Sequence, residues 1–126
     1  MKALTSSPQR ALLGAVRIAI ARDPWFAAWL DPGSGGPALV VEGFACEPWA
    51  SLTFAGARHQ MAIRLAGPIE SVEAAFDRIE ALLASGDLPL AGHFLAEVAL
   101  GEREAEILPD GSMRLQVEIE ALTIED

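Results

Sequence analysis

The sequence predicts an α+β domain, a mainly antiparallel β-sheet with two α-helices packed on one of its faces. Residues 67–84 place apolar side chains at steps of three and four, which is the spacing of one face of an α-helix. Residues 58–65 and 113–122 alternate apolar and polar side chains, as strands with one buried face do. Short turn signals between the strands favour antiparallel neighbours. A length of 126 residues is that of one domain, 1–126.

The first helix is predicted over residues 7–22. Ser7 is a typical N-cap residue, and Pro8 suits the first helical position, where its missing N–H costs no hydrogen bond. Apolar side chains cover most of the circumference, which is typical of a helix buried on more than one side. Two explanations stay open: a partner subunit covers one side, or the helix lies flat on its own sheet with alanines facing water.

The segment after this helix is rich in turn signals. Asp23 and Pro24 repeat the cap-then-proline pattern, so residues 25–30 are expected to form one or two helical turns. Residues 31–37 are a loop by composition, because glycine, proline, serine and aspartate fill the segment. No hydrophobic strand precedes these glycines, so a phosphate-binding loop is not predicted.

The first strand is expected over residues 38–46 and is interrupted at Pro48. Residues 49–57 are ambiguous between strand and loop. The next strand directs its odd-numbered residues, which begin with His59 and Met61, to one face.

The central helix is predicted to begin near Pro68 and to end at Gly86, since glycine tolerates the left-handed backbone that closes a helix. In the following strand the apolar parity changes at Gly101, which indicates a β-bulge or a bend. Before that glycine, one face is expected to carry Phe94, Ala96, Val98 and Leu100. Residues 109–112 are a strong turn signal, so the last two strands are expected to form a hairpin. The expected core consists of Val16, Ile20, Met61, Ile63, Leu65, Val72, Phe76, Ile79, Leu83, Val98, Leu115, Val117 and Ile119.

Composition narrows the functional class. Eighteen acidic and nine basic residues give a net charge of −9, which does not favour binding of nucleic acid through its phosphates. No apolar run reaches the roughly 18 residues of a membrane span, and the N-terminus lacks the pattern of a secretory signal. A single cysteine is compatible with a reducing compartment and excludes an internal disulfide.

Residues with catalytic or metal-binding chemistry are few. His59 and His93 start two strands and would have to act as a pair, but no metal-ligand spacing accompanies them, so both are interpreted as structural. Cys46 has no basic cluster nearby and is expected to be a small buried thiol. Ser34 lies among glycines without the strand–turn–helix context of a nucleophile. The sequence therefore predicts no catalytic residue, no metal site and no cofactor.

One strand carries a run of alternating glutamates, Glu102, Glu104 and Glu106. A calcium site is conceivable, but such sites usually draw their oxygens from a loop that folds back on itself. A solvated acidic face is the preferred interpretation. The third interpretation is an acidic surface that repels a passing polyanion.

Three short motifs carry a resemblance to a known family. Residues 88–93 (LPLAGH) follow an amphipathic helix, residues 109–111 read PDG, and residues 120–123 read EALT near the end of the last strand. In this order and spacing the chain resembles the tail-terminator, or tail-completion, proteins of long-tailed phages and gene transfer agents. It departs from them in a shorter segment at 47–57 and in an acidic last strand, where family members are often basic.

The resemblance implies a non-enzymatic virion protein that forms a ring, a hexamer in this family. That ring caps the head-proximal end of the tail tube, stops its growth and joins the tail to the head. Its partners would be further copies of the chain, the tail tube protein and a head-closure or connector protein, with DNA passing through the lumen without specific binding. On this basis Glu118 and Glu120 are candidates for the lumen, and Trp25, Trp29 and Trp49 for subunit interfaces.

Two other functions stay open at this point. An α+β domain with helices on one face is also compatible with a small-ligand-binding protein or an enzyme, which a pocket with a perturbed histidine or glutamate would favour. A head-closure or connector protein is a close neighbour of the first interpretation.

Overall fold

The structure, a computed structural model, describes residues 7–30, 37–86 and 88–126. Its helical elements are α1 (Ser7–Ala21), a 3-10 helix (Pro24–Leu30) and α2 (Ile69–Ser85). Its strands are β1 (Ala38–Ala50), β2 (Ala55–Pro68), β3 (His93–Ile107) and β4 (Ser112–Glu125). The predicted α+β class is confirmed.

The four strands form one sheet in the order β1–β2–β4–β3, and every neighbouring pair is antiparallel. β2 and β4 are therefore the central strands, while β1 and β3 are the edges. α2 connects β2 to β3, and β4 lies between these two strands in the sheet. This topology puts the two most strictly alternating segments of the sequence in the middle of the sheet.

The core lies between both α-helices and one face of the central strands. Every residue of the expected core is buried except Val98, which is partly buried and packs against the others. α1 buries Leu12, Val16 and Ile20 against its own sheet. Ile18 is the large apolar residue of α1 whose side chain stays exposed, at 47%. Burial against its own sheet thus accounts for most of the apolar surface of this helix.

The 3-10 helix adds an aromatic cluster to this core. Phe26 and Trp29 are 0% and 5% exposed, and Trp25 stacks on Trp29 with ring centroids 6.1 Å apart. The guanidinium of Arg78 lies 5.0 Å above the Trp25 ring and contacts both carboxylate oxygens of Asp23 at 3.2 and 3.3 Å. These contacts tie the 3-10 helix to α2.

β1 runs through Pro48 without a break, so the predicted interruption there is wrong. The reason is that β1 is an edge strand, where a residue without an N–H removes no ladder bond if that position faces outward. The ambiguous segment 49–57 contributes the end of β1, a tight turn and the start of β2.

Side chains of α1 cover part of the free edge of β1. The strand bulges between Gly43 and Ala45, and Nε2 of Gln9 donates a hydrogen bond of 2.8 Å to the carbonyl oxygen of Ala45. Nη2 of Arg17 donates another of 2.8 Å to the carbonyl oxygen of Val41. Two outward carbonyls of an edge strand are thereby occupied, which protects that edge from pairing with another strand.

β3 contains the predicted bulge. The register shifts between Leu100 and Arg103, around Gly101. Beyond the shift, Glu104 and Glu106 pair with polar residues of β4, as the parity change predicted.

A second shift in β3, between Leu95 and Glu97, has no signal in the sequence. Because of it, Phe94 pairs with Ile124, on the face away from the helices, and is 45% exposed. The expectation that Phe94 shares a face with Val98 is therefore wrong.

Phe76 tests the packing of α2. It is 9% exposed, and the guanidinium carbon of Arg103 lies 4.2 Å from its ring centroid. Phe76→Ala should lower the free energy of unfolding by about 3–5 kcal/mol in urea titrations, because it leaves a cavity between helix and sheet. The matched control is Phe44→Ala, which removes a ring that is 57% exposed and should cost less than about 1 kcal/mol. Equal effects of the two variants would contradict this packing.

Candidate functional surface: the open face of the sheet

The described helices all pack on one face of the sheet and leave the other face, here called the open face, without a helix over it; most of this face is polar and charged. Its carboxylates outnumber its arginines. Strand alternation and register assign to it Ala38, Val40, Glu42, Ala45, Glu47 and Trp49 of β1, Gly56, Arg58, Gln60, Ala62, Arg64 and Ala66 of β2, Phe94, Glu97, Ala99, Glu104 and Glu106 of β3, and Arg114, Gln116, Glu118, Glu120, Leu122 and Ile124 of β4.

Cross-strand ion pairs neutralise the end of the open face near the β3–β4 turn. Nε of Arg64 lies 3.0 Å from Oε1 of Glu42. The two groups form an ion pair without a hydrogen bond, because the N–H of Arg64 does not point at this oxygen. Nη1 of Arg114 lies 3.7 Å from Oε1 of Glu106. Both pairs are solvent-exposed, so each contributes at most about 1 kcal/mol to stability. Their main effect is to balance charge locally.

Glu118 and Glu120 differ from these residues, because neither belongs to an ion pair in the described part of the chain. The partner of Glu118 on β2 is Ala62, and the partners of Glu120 are Gln60 on β2 and Ala99 on β3. Both glutamates are exposed, as the alternation of the last strand predicted. We call these two residues the acidic band. It crosses the centre of the open face, and the nearest arginines on β2, Arg64 and Arg58, stand in diagonal positions without forming an ion pair with it in the described chain.

Concavities indent the open face. One of about 600 Å³ lies beside the ion pairs, and one of about 340 Å³ lies at the acidic band. A smaller one of about 110 Å³ is lined in part by Glu47, Arg58 and Glu120. The side chains of the open face that line the first are Ala38, Val40, Arg64, Ala66, Glu104, Glu106, Arg114 and Gln116. The second is lined by Phe44, Gln60, Met61, Gln116, Glu118, Ile119 and Glu120.

At its other end the open face is apolar. Trp49, Gly56, Ile124 and Phe94 form one row across the four strands. Gly56 has to be glycine, because a Cβ there would lie 1.9 Å from the backbone oxygen of Thr123. Trp49 is half-buried at the edge of this row.

The three tryptophans proposed for subunit interfaces lie in different environments. Trp25 is 37% exposed and remains accessible beside Arg78. Trp29 is 5% exposed and belongs to the core of the domain, so its side chain presents no surface to a neighbour. The prediction that Trp29 lies at a subunit interface is therefore wrong, because the 3-10 helix turns its side chain inward beside Phe26. The sequence pattern of this short segment does not distinguish the inward tryptophan from the outward one.

His59 is buried on the helix side of the sheet, at 1% exposed. Its Nε2 lies 2.9 Å from Oγ1 of Thr123, and its Nδ1 has no hydrogen-bond partner in the described part of the chain. Burial, with a smaller contribution from the charge of His93, holds the pKa of His59 below its usual value of 6.5. A neutral imidazole with its proton on Nε2 suits this site, because only an acceptor nitrogen is then left unpaired. The burial of His59 and its contact with Thr123 are compatible with the predicted structural role.

The other residues considered for chemistry are dispersed. Cys46 is the cross-strand neighbour of His59 and is half-buried rather than fully buried. Nδ1 of His93 lies 3.4 Å from the carbonyl oxygen of Ala91. Ser34 lies outside the described residues. Within residues 7–30, 37–86 and 88–126, no group of three or more histidine, cysteine or acidic side chains is placed to hold a metal ion.

None of the helices in the described ranges is long and apolar enough to cross a membrane.

Comparison with known proteins gives a match at the level of fold. No protein-family model matches the chain, and no curated protein matches it. Among solved structures, it is similar to a chain in the virion of a native gene transfer agent particle, with a TM-score of 0.76 and 20% sequence identity. The match covers 95% of this chain and 99% of that chain.

Burial of His59 predicts a pH dependence of stability. The folded-state pKa is lowered, so the unfolded chain binds the proton more readily, and stability that is complete above about pH 6.5 falls as the pH drops below it. His59→Gln should reduce this fall between about pH 7 and 5.5 in urea titrations, whereas His93→Gln should largely keep it. A wild-type stability that does not change over this range, or a His59 NMR titration with a midpoint above 6.5, would contradict the buried neutral histidine.

Proposed function

We propose that the protein is a structural component of a virion that assembles into a ring, a hexamer, at the head-proximal end of a tail tube. There it ends tube growth and joins the tail to the head, as a tail terminator of a phage or a gene transfer agent. The observation that carries the proposal is the fold match to a chain in a gene transfer agent virion. It spans nearly all of both chains, so no additional domain of either is needed to explain the similarity.

The open face supports a channel role. In a ring, each carboxylate of the acidic band is repeated around the axis and produces a belt of like charge. At about 0.1 M salt the screening length is about 10 Å, so the belt acts on DNA that passes close to it. A belt of carboxylates repels phosphates and keeps DNA from adhering to the wall. Glu118 and Glu120 are therefore proposed to face the lumen.

The helix side of the domain is proposed to face away from the channel. α2 presents Glu73, Asp77 and Glu80 to solvent, and Trp25 lies at the same side. Trp25 and Trp49 stay proposed interface residues, since half-exposed tryptophans are enriched where subunits meet. The tail tube protein and a head-closure or connector protein are the proposed partners at the two rims.

The assembly itself is tested with the purified chain. Mass photometry and negative-stain microscopy should find closed rings with six times the mass of the 13.3 kDa chain. The rings should form from the purified chain alone or after tail tubes are added. Added to growing tubes, the protein should cap one end and stop elongation. A protein that binds the head-closure complex but never a tube end would instead be a connector, and a monomer that binds neither would contradict the proposal.

Charge reversal tests the lumen assignment. Particles that carry Glu118→Lys with Glu120→Lys should assemble with normal tails but release DNA more slowly, because the belt becomes attractive to phosphates. Tail assembly and DNA delivery are measured separately.

The matched control for charge reversal is Glu73→Lys with Glu80→Lys, which makes the same change in net charge on the exposed face of α2. These particles should deliver DNA at the wild-type rate. Normal delivery by the Glu118/Glu120 variant, or equal delays in both variants, would remove Glu118 and Glu120 from the lumen.

A further inference from the structure

The turn between β1 and β2, here called the hairpin tip, presents two large apolar side chains to solvent. Leu52 is 104% exposed and Phe54 is 52% exposed. The turn is ordered by its own hydrogen bonds: the N–H of Ser51 donates to the carbonyl oxygen of Phe54 at 2.8 Å, and the N–H of Phe54 donates to Oγ of Ser51 at 3.1 Å. A leucine held fully in water at the end of an ordered turn has the placement of an anchor for a partner surface.

An apolar groove lies at the opposite end of β1. Its volume is about 400 Å³, and it is bounded by the end of α1, the end of the 3-10 helix and the start of β1. In the described chain its lining consists of Arg17, Ile20, Ala21, Leu30, Leu39, Val40 and Val41. Leu30 and Val40, at 42% and 49% exposed, are among the most exposed large apolar residues of the protein. Residues 31–36, which follow Leu30, include no large apolar side chain.

The charges around the hairpin tip and the groove are of opposite sign. α1 carries Arg10 and Arg17 and has no acidic residue, in a protein with a net charge of −9. Arg17 lines the groove and is not among the ion pairs of the described residues. At the end of the sheet that bears the hairpin tip, β4 ends in the exposed Glu125, next to Asp126. The hairpin tip is thus accompanied by the carboxylates of Glu125 and Asp126, and the groove by the guanidinium group of Arg17.

From this complementarity we infer that the hairpin tip of one copy of the chain inserts Leu52 and Phe54 into the apolar groove of the next copy. The two surfaces lie at opposite ends of β1, about 33 Å apart at the strand rise of about 3.3 Å per residue, so one chain cannot join its own tip to its own groove. Because tip and groove are different surfaces, the contact is heterologous and repeats head to tail, which generates a ring when the rotation closes. The inference rests on the proposed ring and names the contact that builds it.

Backbone pairing between copies is the competing way to join these sheets. Gln9 and Arg17 occupy two outward carbonyls of β1, while β3 carries two bulges and charged side chains along its free edge. These are the features that prevent edge-to-edge pairing in natural sheets. A side-chain contact is therefore favoured over a continuous sheet.

Disulfide cross-linking tests the contact directly. The single native cysteine is removed by Cys46→Ser, and Leu52→Cys is combined with Val40→Cys in the same full-length chain. Mild oxidation should yield a ladder of covalent oligomers that stops at the ring number. The matched control combines Leu52→Cys with Phe44→Cys, a similarly exposed position on β1 outside the groove, at 57% against 49% for Val40. Absence of the ladder, or the same ladder from the control, would overturn the inference.

A mixing experiment separates the inference from the proposed ring. Leu52→Asp and Val40→Asp should each raise the protein concentration needed for half-maximal assembly by at least about 10-fold, with an unchanged melting temperature. Mixed in equal amounts, the two variants should form dimers that do not grow, because each pair keeps one intact tip and one intact groove. If each variant alone forms rings as readily as the wild-type protein does, the inference about the contact is overturned, while the proposed ring is not. A wild-type chain that never forms rings, even with tail tubes, would overturn the proposed function, while the cross-linking would still report on the contact.

Discussion

Burial of one face of β2 and β4 beneath the two α-helices is the constraint on which the rest of the structure depends. Both helices pack on the same face, so the four strands have one covered and one uncovered side. Each central strand is therefore apolar toward the helices and mainly polar toward the open face, where Ala62, Leu122 and Ile124 are among the apolar exceptions. The same alternation that builds the core sets Glu118 and Glu120 side by side in the acidic band. Core packing and surface charge are two consequences of one register, because a slip by one residue would exchange the two faces.

The edges of the sheet follow a related logic. A sheet of four strands with free edges pairs readily with other sheets unless those edges are protected. Here the protection differs at the two sides, with side chains of α1 on β1 and bulges with charges on β3. In the proposed ring, contacts between copies would be left to side chains, for which the hairpin tip and the groove are the proposed surfaces. The protected edges are compatible with such a side-chain contact.

Local patterns predicted the elements in which short-range periodicity and burial agree. The spacing of α2, the alternation of β2 and β4, the bulge at Gly101 and nearly all of the core could be predicted in this way. Pro48 misled the prediction, because its tolerance depends on β1 being an edge, which only the strand order reveals. The second bulge in β3 has no glycine to mark it, so the position of Phe94 was not predictable. Trp29 and Trp25 look alike in sequence, and only the packing of the 3-10 helix distinguishes them.

The candidate site could be predicted in part. Parity along β4 identified Glu118 and Glu120 as outward residues, but the absence of an opposing arginine depends on register with β2 and β3. The groove joins segments from α1, the 3-10 helix and β1, so no local pattern marks it.

A cryo-electron microscopy map of the assembled ring is the most direct test of the proposed function. The map should show a closed ring with the open face toward the axis and Glu118 and Glu120 lining the channel. Helices α1 and α2 lining the channel instead would contradict the proposed orientation.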